Sequence, residues 1–277
     1  MKKEMKYKLI KELNNLPELP TNIIELDNFR KEDSMDTKKL LKILQQDPLI
    51  VAQILKVANS SLFSFRTKVD TLNRAINLLG TKFVISIAIG SSITKSMNSN
   101  LLAYAANIDD FLFISSLASA IIDSWISQID TDLKDELLLP AFLQEVGKFT
   151  ISSIIQENKL THEFLQELES SKDIEKVEES FTGYSCSQIT ANIFKRWDFS
   201  HNLVFPIAFA SDVENAPQEF KTRAQILQII KILCDIRYPL SNENIEKALK
   251  KVALYGFDID IFLKSIESIK EQIEKAS

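Results

Sequence analysis

Metal-assisted hydrolysis needs imidazoles and carboxylates gathered around a divalent ion, which lowers the pKa of a bound water and polarises a phosphate. This chain of 277 residues has two histidines, His162 and His201. Each follows a Ser or Thr, in Leu160-Thr161-His162-Glu163 and Phe199-Ser200-His201-Asn202, and reads as the first turn of a capped helix rather than as a ligand. Cys186 and Cys234 are far apart and form no Cys-x-x-Cys pair, so both are expected to be reduced. Nothing basic adjoins Cys186 in Gly183-Tyr184-Ser185-Cys186 to favour a thiolate nucleophile. Seven carboxylates over 163–179 are interleaved with Phe164, Leu165, Leu168, Ile174 and Val177 and are expected on the outer faces of amphipathic helices. No His joins them, and their spacing fits no EF-hand loop. The most telling pair is Gln144-Glu145, within the run from Ala141 to Lys148. Gln is a poor ligand and a single Glu holds no catalytic metal; Glu145 and Lys148 are expected to form an intrahelical ion pair at i, i+3.

The elements that must position these residues are helical. Five glycines and almost no period-2 apolar alternation leave little room for hairpins, whereas apolar spacings of three and four recur along the chain. Hydrophobic residues make up 45% and charged residues 26%, ordinary for a folded all-α protein of one large or two closely packed units. A net charge of −5 argues against a broad nucleic-acid footprint, which shows as a basic domain or stripe. Lys2, Lys3, Lys6, Lys8 and Lys11 make the helical lead over 1–15 basic, without the apolar core of a signal peptide, and read as a solvated face. The longest strongly apolar run, 83–89, falls short of the ~18 to 20 residues that a membrane span needs. A cytoplasmic location without membrane insertion is expected.

Leu16-Pro17-Glu18-Leu19-Pro20 is a stiff approach to a helix on which Ile23, Ile24, Leu26 and Phe29 line one side, ended by a polar break at 31–36. Asp36 or Thr37 caps a helix bearing Leu40, Leu41 and Leu44. Asp47-Pro48, an N-cap acceptor followed by proline at the first helical position, opens another that runs to about Asn59. A helix over 71–79 stops at Gly80, which suits a left-handed cap, and 82–97 is apolar enough for the centre of a bundle. Helices over 110–129, 135–155, 185–197 and 200–212 form a second unit, followed by helices near 220–237, 241–255 and 258–275. In the last, Phe262, Ile266, Ile269 and Ile273 form a narrow seam expected to pack within the chain.

The run from Asp47-Pro48 to Asn59-Ser60, followed by Leu62-Phe63 and by Ala75-Ile76-Asn77-Leu78-Leu79-Gly80, resembles the signature of the HDOD family, the HD-related output domain of bacterial signalling. Leu16 to Pro20 resembles the usual family opening, and 141–148 is built like the helix that carries the metal-binding His-Asp pair of HD-type phosphohydrolases. The resemblance spans about 16–212, the second half by pattern more than by identity. It implies an N-terminal helical subdomain, about 16–98, packed on an HD-like helical subdomain, about 99–212; the helices beyond it read as a C-terminal helical extension over 213–277. It also implies a generally non-catalytic scaffold. Against the family pattern, Ile114 stands where a His often precedes the Ser-Leu-Ala run, and Gln144-Glu145 replace the His-Asp pair. Cys186 stands where a His is common, and Ala210-Ser211 align with a His-His pair. Together these losses imply that no HD-type metal centre forms and that no cofactor is held. Ser64 replaces a frequent Gly after Phe63.

The expected function is that of a non-catalytic signalling module acting through a regulatory protein partner. The candidate contact surface is the signature turn, with Asn59, Ser60, Phe63, Phe65 and Arg66. Phe63 and Phe65 can instead fill the core, and Asn59 and Ser60 can act as local caps. The alternatives are a regulator that binds a nucleotide or nucleic acid and a metal-dependent phosphohydrolase. Lys38, Lys39 and Lys42 ahead of Asp47-Pro48 give a faint helix-turn-helix appearance, but the second helix is too apolar to spare a face for bases. Gly147-Lys148 lacks the earlier glycine and the following Ser or Thr of a phosphate-binding P-loop.

Overall fold

Local capping chemistry sets most of the helix starts. The computed structural model describes residues 2–32, 36–97, 100–171 and 173–276. It opens with α1 (Lys2–Asn14) and with α2 (Thr21–Phe29), which begins directly after Pro20. Asp36, Asp47 and Thr71 each accept a backbone N–H bond at the start of α3 (Thr37–Leu44), α4 (Pro48–Ala58) and α5 (Leu72–Leu79). These side chains satisfy amide donors that a helix start would otherwise leave orphaned. Gly80, at φ 84°, ends α5 and turns the chain by 116° into α6 (Thr81–Ser96). Asn107 caps α7 (Ile108–Ile126) with a reciprocal bond from Asp110, and Asp130 caps α8 (Thr131–Leu143). Beyond α9 (Gly147–Glu157) and α10 (Thr161–Ser170), Asp173 caps α11 (Ile174–Thr182) and Ser185 caps α12 (Cys186–Arg196). The chain finishes with α13 (His201–Ala208), α14 (Gln218–Leu233), α15 (Asn242–Tyr255) and α16 (Ile259–Ala276).

The architecture is all-α, with no strand among the described residues. The central element is α6, which packs against α2, α4 and α5 on one side and α7 and α8 on another. Its 83–90 segment is sealed from solvent, so an apolar run too short to span a membrane serves as the middle of the bundle. Gly90 permits this: a Cβ there would lie 2.1 Å from the Phe142 ring of α8. The helices α7, α8, α9, α12 and α13 pack on one another, and α14 to α16 close over α7, α8 and α13. Among the described residues no single helix is long and apolar enough to cross a membrane.

The seam of α16 packs within the chain. Phe262, Ile266 and Ile269 are buried, and the fully enclosed Trp125 of α7 meets Phe262 and Phe257 edge-on at 5.0 and 5.4 Å between centroids. Such aromatic pairs contribute about 0.5–1.5 kcal/mol each beyond their area. His162 and His201 lie in the first turns of α10 and α13, both exposed.

Three expectations need correction. The helix expected over 135–155 is two helices, interrupted at 144–146. Ile24 faces solvent, so the apolar stripe of α2 is narrower than its spacing suggests. The carboxylates of 163–179 are not all on outer faces, because Glu178 is completely buried. The polar break expected at 31–36 falls largely on 33–35, outside the described residues, as do the side chains of Lys2 and Lys3. Lys6 and Lys8 are engaged rather than merely solvated, Lys6 over the Tyr184 ring and Lys8 with Asn158.

The lead helix α1 crosses α9 and α11. Its Glu12 faces Ser153 and Glu157 of α9, and Lys8 and Lys11 share the same wall. Burial, reinforced by the Glu157 carboxylate, outweighs the Ser153 hydrogen bond and pushes the Glu12 carboxyl up to about 7. A folded value above the ordinary one means that this group's contribution to stability is complete below about pH 4.5 and is lost as pH rises through about 7. Glu12→Gln is therefore expected to stabilise the protein at pH 8 by about 1–2 kcal/mol after solvent screening, and to leave it unchanged at pH 4. Thermal unfolding of both proteins at the two pH values checks this, and equal shifts at both would refute it.

Candidate functional site

The interruption between α8 and α9 is made by a side chain from another helix. The Thr190 hydroxyl of α12 accepts the Gly147 amide at 2.9 Å and donates to the Gln144 carbonyl at 3.1 Å. The local backbone tightens to bonds of three-residue span, from Val146 to Leu143 and from Lys148 to Glu145. A Cβ at Gly147 would lie 2.8 Å from both the Cys186 carbonyl oxygen and the Thr190 hydroxyl. Only glycine allows α12 to come this close. The turn so formed aims Gln144, Glu145 and Lys148 into the interior.

Glu145 meets two ammonium groups there. Lys148 reaches its Oε2 at 2.8 Å and Lys231, from α14, reaches its Oε1 at 2.6 Å. Lys148 also contacts Glu178 of α11 at 2.5 Å, and its ammonium lies 4.9 Å above the Tyr104 ring, whose hydroxyl donates to Glu178 at 3.0 Å. Lys231 extends the cluster outward to Glu175 at 3.0 Å and Ser187 at 3.3 Å; the Ser211 hydroxyl donates to Glu175 and lies in hydrogen-bond contact with the Ser187 hydroxyl at 2.7 Å. The i, i+3 pair expected from the spacing is therefore present, but it is one edge of a buried network.

Burial alone would raise the Glu145 carboxyl, yet Lys148 and Lys231 outweigh it and hold the group below the usual carboxylate range. Both ammonium groups are held above the ordinary lysine value by the surrounding carboxylates, against the opposing effect of burial. Glu178, fully enclosed, is pushed up by burial despite Lys148. Burial, with Glu145 nearby, pushes the Cys186 and Cys234 thiols up as well, which disfavours thiolate.

The positions singled out in the sequence meet here unevenly. Gln144, Glu145, Cys186 and Ser211 belong to one connected set, with Cys186 Sγ 3.8 Å from the Thr190 hydroxyl. Ala210 is buried beside them in sequence, and Ile114 lines a separate recess with Tyr104 and Arg237. Both atoms of the Gln144 amide are buried without a hydrogen-bond partner. Among the described residues no group of three or more His, Cys, Asp or Glu side chains is placed to hold a metal ion, and Glu145 has an ammonium group at each oxygen. Lys231, Glu178, Tyr104 and Thr190 were not singled out from the sequence. A lone lysine inside Ile229-Ile230-Lys231-Ile232-Leu233 is the signal that could have pointed to the first.

The signature turn is clamped internally. The Asn59 amide donates to the Leu55 and Val69 carbonyls at 2.7 Å, and its oxygen accepts the Val69 amide at 2.8 Å. Ser60 donates to the Val57 carbonyl at 2.7 Å. Both side chains act as caps. Phe63 and Phe65 stack at 5.8 Å, and Phe63 also meets Phe83 of α6 edge-on; both are half-buried, while Arg66 is exposed. Ser64 adopts φ 42° in place of glycine, and its hydroxyl donates to the Gln272 carbonyl of α16 at 2.7 Å. This bond ties the C-terminal helix to the turn.

Removing one member of a buried ion cluster leaves an uncompensated charge, at a cost of about 3–5 kcal/mol. Lys231→Met is expected to destabilise the protein by that amount, and adding Glu145→Gln to recover much of it, since the two residues are directly coupled. Denaturant unfolding of the single and double variants tests this; additive losses would exclude the coupling.

Comparisons with known proteins agree with this geometry at the level of fold. A curated relative, an uncharacterized protein of Treponema pallidum (strain Nichols), is 20% identical over 219 residues, 76% of this chain. The chain spans 40% of that relative's length. The crystal structure of a virulence factor from Campylobacter jejuni subsp. jejuni is 26% identical, with a TM-score of 0.58 over 98% of this chain and 100% of that one. An HDOD domain protein of unknown function from Geobacter sulfurreducens superposes with a TM-score of 0.69 over 100% of this chain and 98% of its own, at 18% identity. The model of the HDOD domain matches residues 16–213, a span that includes the clamped turn, the interrupted α8–α9 segment and every position of the charge cluster except Lys231. The chain belongs to the HDOD domain family.

Proposed function

We propose that this protein is a non-enzymatic regulatory module of bacterial signalling that works through contacts with a protein partner. One observation carries the reading: both oxygens of Glu145, which by resemblance aligns with the HD metal ligands, are engaged by ammonium groups, from Lys148 and Lys231. An HD-type hydrolase needs a bound cation to generate a nucleophilic hydroxide at neutral pH. Lysine supplies the positive charge without open coordination positions, so it stabilises the carboxylates and activates no water. The scaffold is kept while the chemistry that would need a metal has no ligand set. Contact surfaces are then the natural output, and the signature turn, with Phe63, Phe65 and Arg66, is the candidate.

The full chain, incubated with Mn²⁺ or Zn²⁺ and then desalted, is expected to retain substoichiometric metal by elemental analysis and to leave bis-p-nitrophenyl phosphate unhydrolysed. Stoichiometric metal together with chelator-sensitive hydrolysis would overturn the reading. In pull-downs from the native cells, the Phe63→Ser/Phe65→Ser variant is expected to stay helical and to lose a partner that the wild type captures. Unchanged capture would remove the turn as the contact surface.

A further inference from the structure

A cleft of ≈560 Å³ opens beside the charge cluster, between the start of α11, α14 and α15. Its volume lies in the range of about 300–1,000 Å³ typical of small-molecule sites. Lys231 and Ser211 form part of the lining, so the cleft reaches down to the cluster, and Ile174 and Ile232 give it an apolar wall. The α15 side is lined by Lys247, Lys250 and Lys251.

The charge balance of this lining is uneven. Each carboxylate in it already has a cation: Asp173 pairs with Lys176 at 3.3 Å, Glu175 with Lys231 at 3.0 Å and Asp235 with Arg237 at 2.7 Å. Lys247 has Glu243 at 3.3 Å. Among the described residues no carboxylate pairs with Lys250 or Lys251; Lys251 has only the Tyr255 hydroxyl at 3.5 Å and that residue's ring. The Tyr255 hydroxyl in turn donates to Gln228 Oε1 at 2.5 Å, and Gln228 is itself part of the lining. Two ammonium groups without a carboxylate partner, Gln228 and an apolar wall thus line one cleft of a chain whose net charge is −5. Four lysines against three carboxylates leave the lining with an excess of positive charge, which favours an anion.

We propose that this cleft binds a small phosphoryl-bearing anion, held at its mouth by Lys250 and Lys251. The proposal goes beyond the reading above and does not depend on it, because the cleft can bind an anion whether or not the module contacts a protein. Lysine suits this role as a point charge for phosphate oxygens. The ligand lies directly over Lys231 and Glu175, so its occupancy reports to the cluster that holds α9, α11 and α14 together.

The test is calorimetric titration of inorganic pyrophosphate into the full chain at low ionic strength. Saturable one-to-one binding is expected, weakening as NaCl is added. Lys250→Glu/Lys251→Glu is expected to bind at least about tenfold more weakly, whereas Lys38→Glu/Lys42→Glu, a like charge change on the remote and exposed α3, retains wild-type affinity. Thermal unfolding without ligand verifies that each variant is folded; if the first is not, Lys250→Gln/Lys251→Gln takes its place. Absence of saturable binding to the wild type, undiminished binding by the α15 variant, or an equal loss in the α3 variant would each overturn the proposal.

Discussion

Two lysine ammonium groups inside a helical bundle are compatible with folding only if carboxylates meet them at contact distance. Lys148 and Lys231 impose that constraint here, and Glu145, Glu178 and Glu175 satisfy it. An unpaired charge in a low-dielectric interior costs several kcal/mol, so the helices that carry these residues have little freedom in their mutual placement. The break between α8 and α9, the start and middle of α11 and the last turns of α14 must all arrive at one point. Thr190 and Gly147 make this possible by letting α12 press directly against the broken backbone.

The same arrangement is what supports the proposed reading of the HD-like scaffold. A divalent ion and a pair of lysines both neutralise carboxylates, but they differ in what remains available. A metal keeps exchangeable positions for water and phosphate, whereas an ammonium is covalently tethered and offers only donors. Glu145, below the usual carboxylate range between its two lysines, is thereby fixed as a structural anion. The Gln144 amide beside it is buried without a hydrogen-bond partner.

The signature turn illustrates how a family motif can be mainly architectural. Asn59 uses its whole amide to hold α4 to the chain at Val69, and Ser60 closes the helix end. The surface left over is aromatic and half-buried, stacked toward α6 and touched by α16 through Ser64. A contact surface at this turn would therefore be continuous with the C-terminal helix and with the bundle centre.

Much of the fold was legible locally. Caps at Asp36 and Asp47, the stop at Gly80, the apolar seam of α16 and the motif from Asp47 to Gly80 are short-range features, governed by backbone donors and by periodicity within one helix. The Glu145–Lys148 ion pair was equally legible, because it follows from i, i+3 spacing. The interruption after Leu143 was not, since its cause is a hydroxyl from Thr190, 43 residues beyond Gly147. The burial of Glu178 was hidden for a related reason: helical periodicity assigns a face to a side chain but cannot say which neighbouring cation covers that face. The residue types and their order determined an all-α chain of capped helices. The partner of each buried charge, and the cleft that adjoins them, were decided only when α9, α11 and α14 packed together, because Coulomb and desolvation energies depend on distances across the fold rather than along the chain.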